Sequence, residues 1–350
     1  MCPAPSSPIA LFCLLAALLW PHAARAADPA APGPHPIVVT LQSWTDGSRS
    51  RELPLRIVRP REDGGRDGAG QPVVLFSHGL GGSREAGQAW GDHWASHGYL
   101  VIHLQHPGSD STIWQGAADR AAAMRGMREA MSGTQFMARI ADVRFVLDEL
   151  GRRVAAADPE VGRADLSRIG MSGHSYGAVT TQALAGERFG PRGSQASGRL
   201  AEPRIRASAA FSPSGGRDTP LAGEGSRFAD IRQPFLSLTG TLDTSIASPE
   251  TAQSRQLPFE RMPGPDKYLL VLEGADHGIF SGQPALRQLP RARPGQASPD
   301  ADAAATAAIR AASLMFWNAY LRDDAAARRW LLDGGLECHL GAGDRWQVKR

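Results

Sequence analysis

The 350-residue sequence predicts an α/β fold in which a mostly parallel central sheet is covered by helices on both faces and preceded by an N-terminal antiparallel hairpin. Three observations predict it. Short apolar runs of strand length alternate with longer segments of helical periodicity. Those runs are apolar at consecutive positions, as strands buried on both faces require. A further short strand-like run, Leu166 to Ser172, passes through the glycine-flanked Gly173-His174-Ser175-Tyr176-Gly177 straight into a helical segment beginning at Ala178.

In chain order, Pro36 to Leu41 and Leu53 to Val58 read as strands joined across an Asp46-Gly47 turn, which makes them the hairpin. Pro72 to Ser77 is the first run expected to be buried on both faces. It ends in His78-Gly79-Leu80-Gly81-Gly82-Ser83, and a helix is expected from Arg84 to Ser96. Tyr99 to Leu104 is the next strand. From Met137 to Leu150, Ile140, Val143, Val146, Leu147 and Leu150 fall largely on one helical face. After the serine stretch, Ile205 to Phe211, Phe235 to Thr239 and Tyr268 to Leu272 read as strands and Ala303 to Arg322 as the last long helix. Residues 107–133, 213–230 and 281–300 interrupt the alternation. All three follow predicted strands on the C-terminal side, where an open α/β sheet keeps its ligand site. In the first, Met124, Met127 and Met131 have the spacing either of an acyl-pocket lining or of an ordinary helix-packing face.

Ile9 to Trp20 is an unbroken apolar run, too short to span a bilayer comfortably, and is followed by Ala24-Arg25-Ala26. Although no Lys or Arg precedes it, this reads as a secretory signal peptide over residues 1–26, with a Pro/Ala spacer over 27–36 and one catalytic domain over 37–350. The expected location is therefore the periplasm or the extracellular medium, with no transmembrane segment. Of Cys2, Cys13 and Cys338, only Cys338 outlasts cleavage, which excludes an intramolecular disulfide. Phe12 before Cys13 argues against a lipoprotein anchor. The formal net charge is +3, and no basic tract occurs, so nucleic acid is not expected as a partner.

A strand, then a serine between glycines, then a helix is the context of a nucleophile elbow. Small residues two positions either side let strand and helix close around a strained serine. A serine hydroxyl needs a base and a group to orient that base. In this architecture they follow in the order serine, acid, histidine. Only His339 lies beyond His277, in a tail with no strand-like run, so His277 is the expected base. Asp276 adjoins it too closely in sequence, and Asp218 and Asp230 precede the relevant strand; Asp243, after Thr239-Gly240-Thr241-Leu242, is the expected acid. The amides of Tyr176 and Leu80 are the expected oxyanion donors. His78, His103, His106 and His174 read as structural. No H-E-x-x-H motif and no Cys/His cluster calls for a metal, Gly79-x-Gly81-Gly82 lacks the spacing of a dinucleotide fingerprint, and no cofactor is expected.

With these residues assembled, the chain resembles the α/β-hydrolase superfamily. His78 to Gly82 with Gly173 to Gly177, and His106-Pro107-Gly108-Ser109-Asp110, look like the branch of platelet-activating-factor acetylhydrolases and predicted dienelactone hydrolases. The resemblance implies Ser175 as nucleophile, Asp243 and His277 as its partners, and Leu80 and Tyr176 as the oxyanion hole. Dienelactone hydrolases proper carry cysteine where Ser175 stands, which argues against lactone opening. The expected function is an exported serine carboxylester hydrolase acting through an acyl-enzyme on small or short-acyl esters, with a small-molecule or lipid-like ester as its substrate. Its rivals are a lipase or polyesterase on insoluble esters and a non-catalytic binding protein on a hydrolase scaffold.

Overall fold

The computed structural model describes residues 28–61, 70–115, 117–189, 200–216, 226–244, 250–283 and 299–350. The expected signal peptide, residues 217–225 of the second irregular segment and residues 284–298 of the third lie outside them. Nine strands form one sheet in the order β1-β2-β4-β3-β5-β6-β7-β8-β9 among the described residues. The hairpin is β1 (Ile37–Asp46) with β2 (Arg51–Pro60), and β2 pairs antiparallel to β4 (Leu100–Leu104). From β4 the sheet runs parallel through β3 (Gln71–Ser77), β5 (Ala164–His174), β6 (Ile205–Phe211), β7 (Phe235–Leu242) and β8 (Lys267–Asp276).

Consecutive apolar residues on the parallel strands are explained by their two destinations. Val74, Phe76 and Val101 point to one core, with Trp94 of α1 (Gln88–Ser96) and Trp317 of a long helix that begins at Pro299. Val73, Leu75, Leu100 and Ile102 point to the other, with Ile140, Val143 and Leu147 of α3 (Gly133–Ala155) and Leu184 of α4 (Tyr176–Ala185). Helices therefore cover both faces, and the alternation of neighbouring side chains places each strand between two apolar layers. The Ser132 hydroxyl accepts from Gln135 N and starts α3 before the apolar stripe does.

Three regions differ from expectation. Residues 107–133 are not irregular throughout: the Asp119 carboxylate caps α2 (Arg120–Ala130) by accepting from Ala122 N at 2.7 Å. Met127 is buried there, but Met124 is 44% and Met131 41% exposed, so the three do not act as one packing face. The C-terminal tail is not devoid of strand. After α5 (Leu257–Arg261), α6 (Pro299–Leu321) and α7 (Ala325–Leu332), β9 (Arg345–Lys349) pairs antiparallel to β8, with Trp346 stacked on Tyr268 at 5.5 Å. Finally, residues 28–36 lie along α1: the Pro29 and Ala31 carbonyls accept from the Nε2 of His93 and His97, and Gly33 N donates to Ser96 Oγ. Among the described residues no helix is long and apolar enough to cross a membrane.

Candidate active site

Because six neighbouring strands run parallel, the loops after β3, β4, β5, β7 and β8 emerge at one edge of the sheet. All five sequence-predicted site residues stand in them or start the helix that follows. Ser175 has φ 55° and ψ −113°, a left-handed conformation that costs about 1–3 kcal/mol in a non-glycine residue. The surrounding contacts enforce it. A Cβ on Gly173 would lie 2.5 Å from the Gly177 carbonyl, and one on Gly177 would penetrate the Ser77 carbonyl. Ser175 N also donates to Phe211 O of β6 at 2.9 Å, which ties the turn to the sheet.

Asp243 and His277 meet across β7 and β8. The Nδ1–H of His277 donates to Asp243 Oδ1 at 2.7 Å, which leaves Nε2 with its lone pair available. Asp243 is wholly buried, and its Oδ2 accepts from Thr239 Oγ1 at 2.8 Å. Burial pushes its pKa up; the His277 hydrogen bond and the charge of Arg255 outweigh burial and hold it below the ordinary carboxylate value. The imidazole of His277 keeps 21% exposure while its carboxylate partner has none.

His174 joins this pair to the elbow. Its Nε2–H donates to the His277 carbonyl at 3.0 Å and its ring lies 4.6 Å from the His277 ring, centre to centre. Since Ser175 is the next residue, His277 is anchored beside the strained serine. The Ser175 hydroxyl makes no hydrogen bond to a described residue, so the Asp243–His277 link is formed and the His277–Ser175 link is not. Contacts of this kind are often long in unliganded enzymes and tighten on substrate.

Neither the Leu80 amide nor the Tyr176 amide donates a hydrogen bond among the described residues. Tyr176 opens α4, where a first-turn amide has no partner in the helix. The Leu80 amide is aimed by its own peptide plane. His78 Nε2 accepts from His106 N at 2.9 Å, so the ring proton sits on Nδ1, which donates to the Gly79 carbonyl at 2.6 Å. Gly82 N donates to the same oxygen at 3.1 Å. Holding that carbonyl fixes the Leu80 N–H on the opposite side of the trans peptide. Burial, aided by the Arg139 charge, holds the His78 pKa well below its ordinary value and keeps the ring neutral. Gly79 packs so closely that a Cβ there would lie 3.3 Å from Ser175 Cβ.

A second Ser-His-Asp constellation lies beneath this loop. Ser77 Oγ is 3.0 Å from His106 Nε2, and His106 Nδ1 is 3.0 Å from Asp142 Oδ2. It has triad connectivity without access: all three residues are wholly buried, Ser77 Oγ also accepts from Arg139, and Asp142 is held by Arg49 and Arg51. Its place is structural, as a polar support for the His78–Leu80 loop.

Sequence reasoning missed two arginines. Arg255 is 2% exposed; its Nε lies 3.0 Å from Asp243 Oδ1 and donates to the Asp243 carbonyl, and its Nη1 donates to the carbonyls of Ser212 and Pro213. In sequence it resembles any arginine of a polar segment. Arg139 left a readable signal, because it precedes Val143 by four residues and so falls, as Asp142 does before Val146, in line with the apolar stripe of α3.

Comparisons with known proteins fit this picture. The family model for platelet-activating factor acetylhydrolase, isoform II, matches residues 64–145, which include β3, the His78–Gly82 loop and the first half of α3. No curated protein matches. Among solved structures, ferulic acid esterase from Streptomyces cinnamoneus superimposes with a TM-score of 0.57 at 20% identity, over 85% of this chain and 93% of its own. At that identity the likeness shows the fold.

Proposed function

We propose that this chain, an α/β-hydrolase resembling the platelet-activating-factor acetylhydrolase branch, is a serine carboxylester hydrolase that works through an acyl-enzyme on small or short-acyl esters. One observation carries the reading: a buried carboxylate, Asp243, bonded to the Nδ1 of a histidine that is itself tied to the residue preceding a strained serine. In this reading Ser175 Oγ attacks the ester carbonyl while His277 Nε2 takes its proton. Asp243 fixes the His277 tautomer and stabilises the imidazolium. The negative charge on the carbonyl oxygen is met by the Leu80 and Tyr176 amides. His277 then returns the proton to the departing alkoxide, and water reverses the sequence to release the acid. The esterase named among the structural neighbours and the acetylhydrolase family model support an ester as the substrate class. Export belongs to the same proposal and rests on the Ile9 to Trp20 segment followed by Ala24-Arg25-Ala26.

A second reading, hydrolysis of insoluble esters, is favoured by the exposed apolar side chains of residues 107–133. Trp114 is 43% exposed while its Nε1 donates to Gly81 O, beside the proposed oxyanion loop, and Met124 and Met131 are also open. Stopped-flow hydrolysis of p-nitrophenyl acetate, followed by a panel of acyl lengths, tests both. The expected result is a stoichiometric p-nitrophenol burst, absent in Ser175→Ala, with activity declining as the chain lengthens. Rising activity on long-chain or emulsified esters favours the second reading, and a burst retained in Ser175→Ala rejects both.

A further inference from the structure

We infer that Arg139 is a positioning residue that sets the spacing between the two backbone donors of the oxyanion hole, an inference that rests on the serine-hydrolase reading above. Arg139 rises from α3 and is wholly buried. Its hydrogen bonds divide between the two halves of the hole. On the loop side, Nη2 donates to the His78 carbonyl and to Ser77 Oγ, and Nη1 donates to Ser109 Oγ at 2.8 Å. Ser109 O in turn accepts from Gly81 N at 2.9 Å, so the guanidinium grips the loop on both sides of Leu80. On the elbow side, Nε donates to Thr180 Oγ1 at 3.2 Å, and that hydroxyl donates to the Tyr176 carbonyl. The guanidinium carbon also lies 4.6 Å from the centre of the Tyr176 ring.

One planar, rigid fork thus bridges the loop that carries the Leu80 amide and the helix turn that carries the Tyr176 amide. Its partners are neutral oxygens and a ring, and it forms no ion pair among the described residues; the nearby Asp142 carboxylate is engaged by Arg49, Arg51 and His106. Burial lowers the Arg139 pKa to about 10, so the group stays charged at neutral pH. A cation beneath two amides that await an oxyanion adds a field of the stabilising sign where water is excluded. An apolar residue of the same volume would fill the space but would provide neither the bridge nor the field.

The test compares Arg139→Lys, Arg139→Met and Thr180→Val with wild type in p-nitrophenyl acetate hydrolysis and in inhibition by phenylboronic acid, which forms a tetrahedral adduct on an active serine. Arg139→Lys keeps a cation but not the fork, and is expected to lower kcat roughly 10- to 100-fold with KM nearly unchanged. Boronate affinity is expected to fall by the same factor. Arg139→Met should lose more, and Thr180→Val should show a smaller loss with the same division between kcat and KM. Should Arg139→Met fail to fold, the other two decide. Wild-type kcat and boronate affinity in a folded Arg139→Lys, or a kcat loss without a boronate loss, overturns the inference. Failure of wild type to bind the boronate overturns the serine reading instead.

Discussion

Arg255 Nε lies 3.0 Å from the same Asp243 oxygen that accepts the His277 Nδ1–H at 2.7 Å. Asp243 is thereby fixed from three directions, since Thr239 holds its second oxygen. Removing one partner of a buried ion pair leaves the other charge uncompensated, at a cost of about 3–5 kcal/mol. Arg255→Met would also strip donors from the carbonyls of Asp243, Ser212 and Pro213. Urea unfolding should show a loss of that size together with a lower kcat. A variant within about 1 kcal/mol of wild type would mean that the pair does not hold the site together.

Asp243→Asn keeps shape while removing the charge that selects the His277 tautomer. The expected loss in kcat is about 10⁴-fold with KM near wild type, together with a lowered unfolding midpoint, because the buried Arg255 cation loses its counter-charge. Steady-state kinetics with circular dichroism checks it, and near-normal turnover would assign the acid to another carboxylate.

The buried histidines dictate how stability depends on pH. Burial lowers the pKa of His93 and of His103 to about 3 and that of His106 to about 4, against an unfolded value near 6.5. Between those values the unfolded chain binds protons that the native protein refuses, so their contribution is present above pH ~6.5 and is lost as pH falls. Glu187, pushed up to about 8 by burial, works in the opposite direction and offsets one of the three. His78 and His174, also held well below 6.5 by burial, add to the histidine side, so the protein is expected to lose stability as pH falls from about 6.5 toward 4.5. Urea titrations across that range check it; a flat profile would mean that these rings accept protons without leaving the core.

Gly177→Ala places a methyl into the Ser77 carbonyl and 2.9 Å from the carbonyl of His78. Both neighbours are backbone at the root of the His78–Gly82 loop and cannot yield without moving β3. Overpacking of this kind costs about 3 kcal/mol and should abolish activity before it abolishes folding. Thermal melting paired with an activity assay tests it, and wild-type behaviour in both would contradict the close approach.

The parallel sheet was readable because its strands are buried on both faces, and burial writes itself into sequence as uninterrupted apolar runs such as Val73 to Phe76. The elbow was readable because glycine is the one residue that its contacts with Ser77 tolerate. What escaped depends on partners distant in the chain. Arg255 reaches Asp243 and Arg139 reaches His78 through folds of the backbone that no local pattern records. β9 escaped because an edge strand needs only a partial apolar face; Trp346 and Val348 supply it against β8, between charged residues that read as a polar tail.

The most direct measurement is the intact mass of the protein after reaction with a fluorophosphonate, followed by peptide mapping. One adduct per chain, located on Ser175 and lost together with ester hydrolysis in Ser175→Ala, is the predicted result. An adduct on another residue, or ester hydrolysis that persists in Ser175→Ala, would contradict the account.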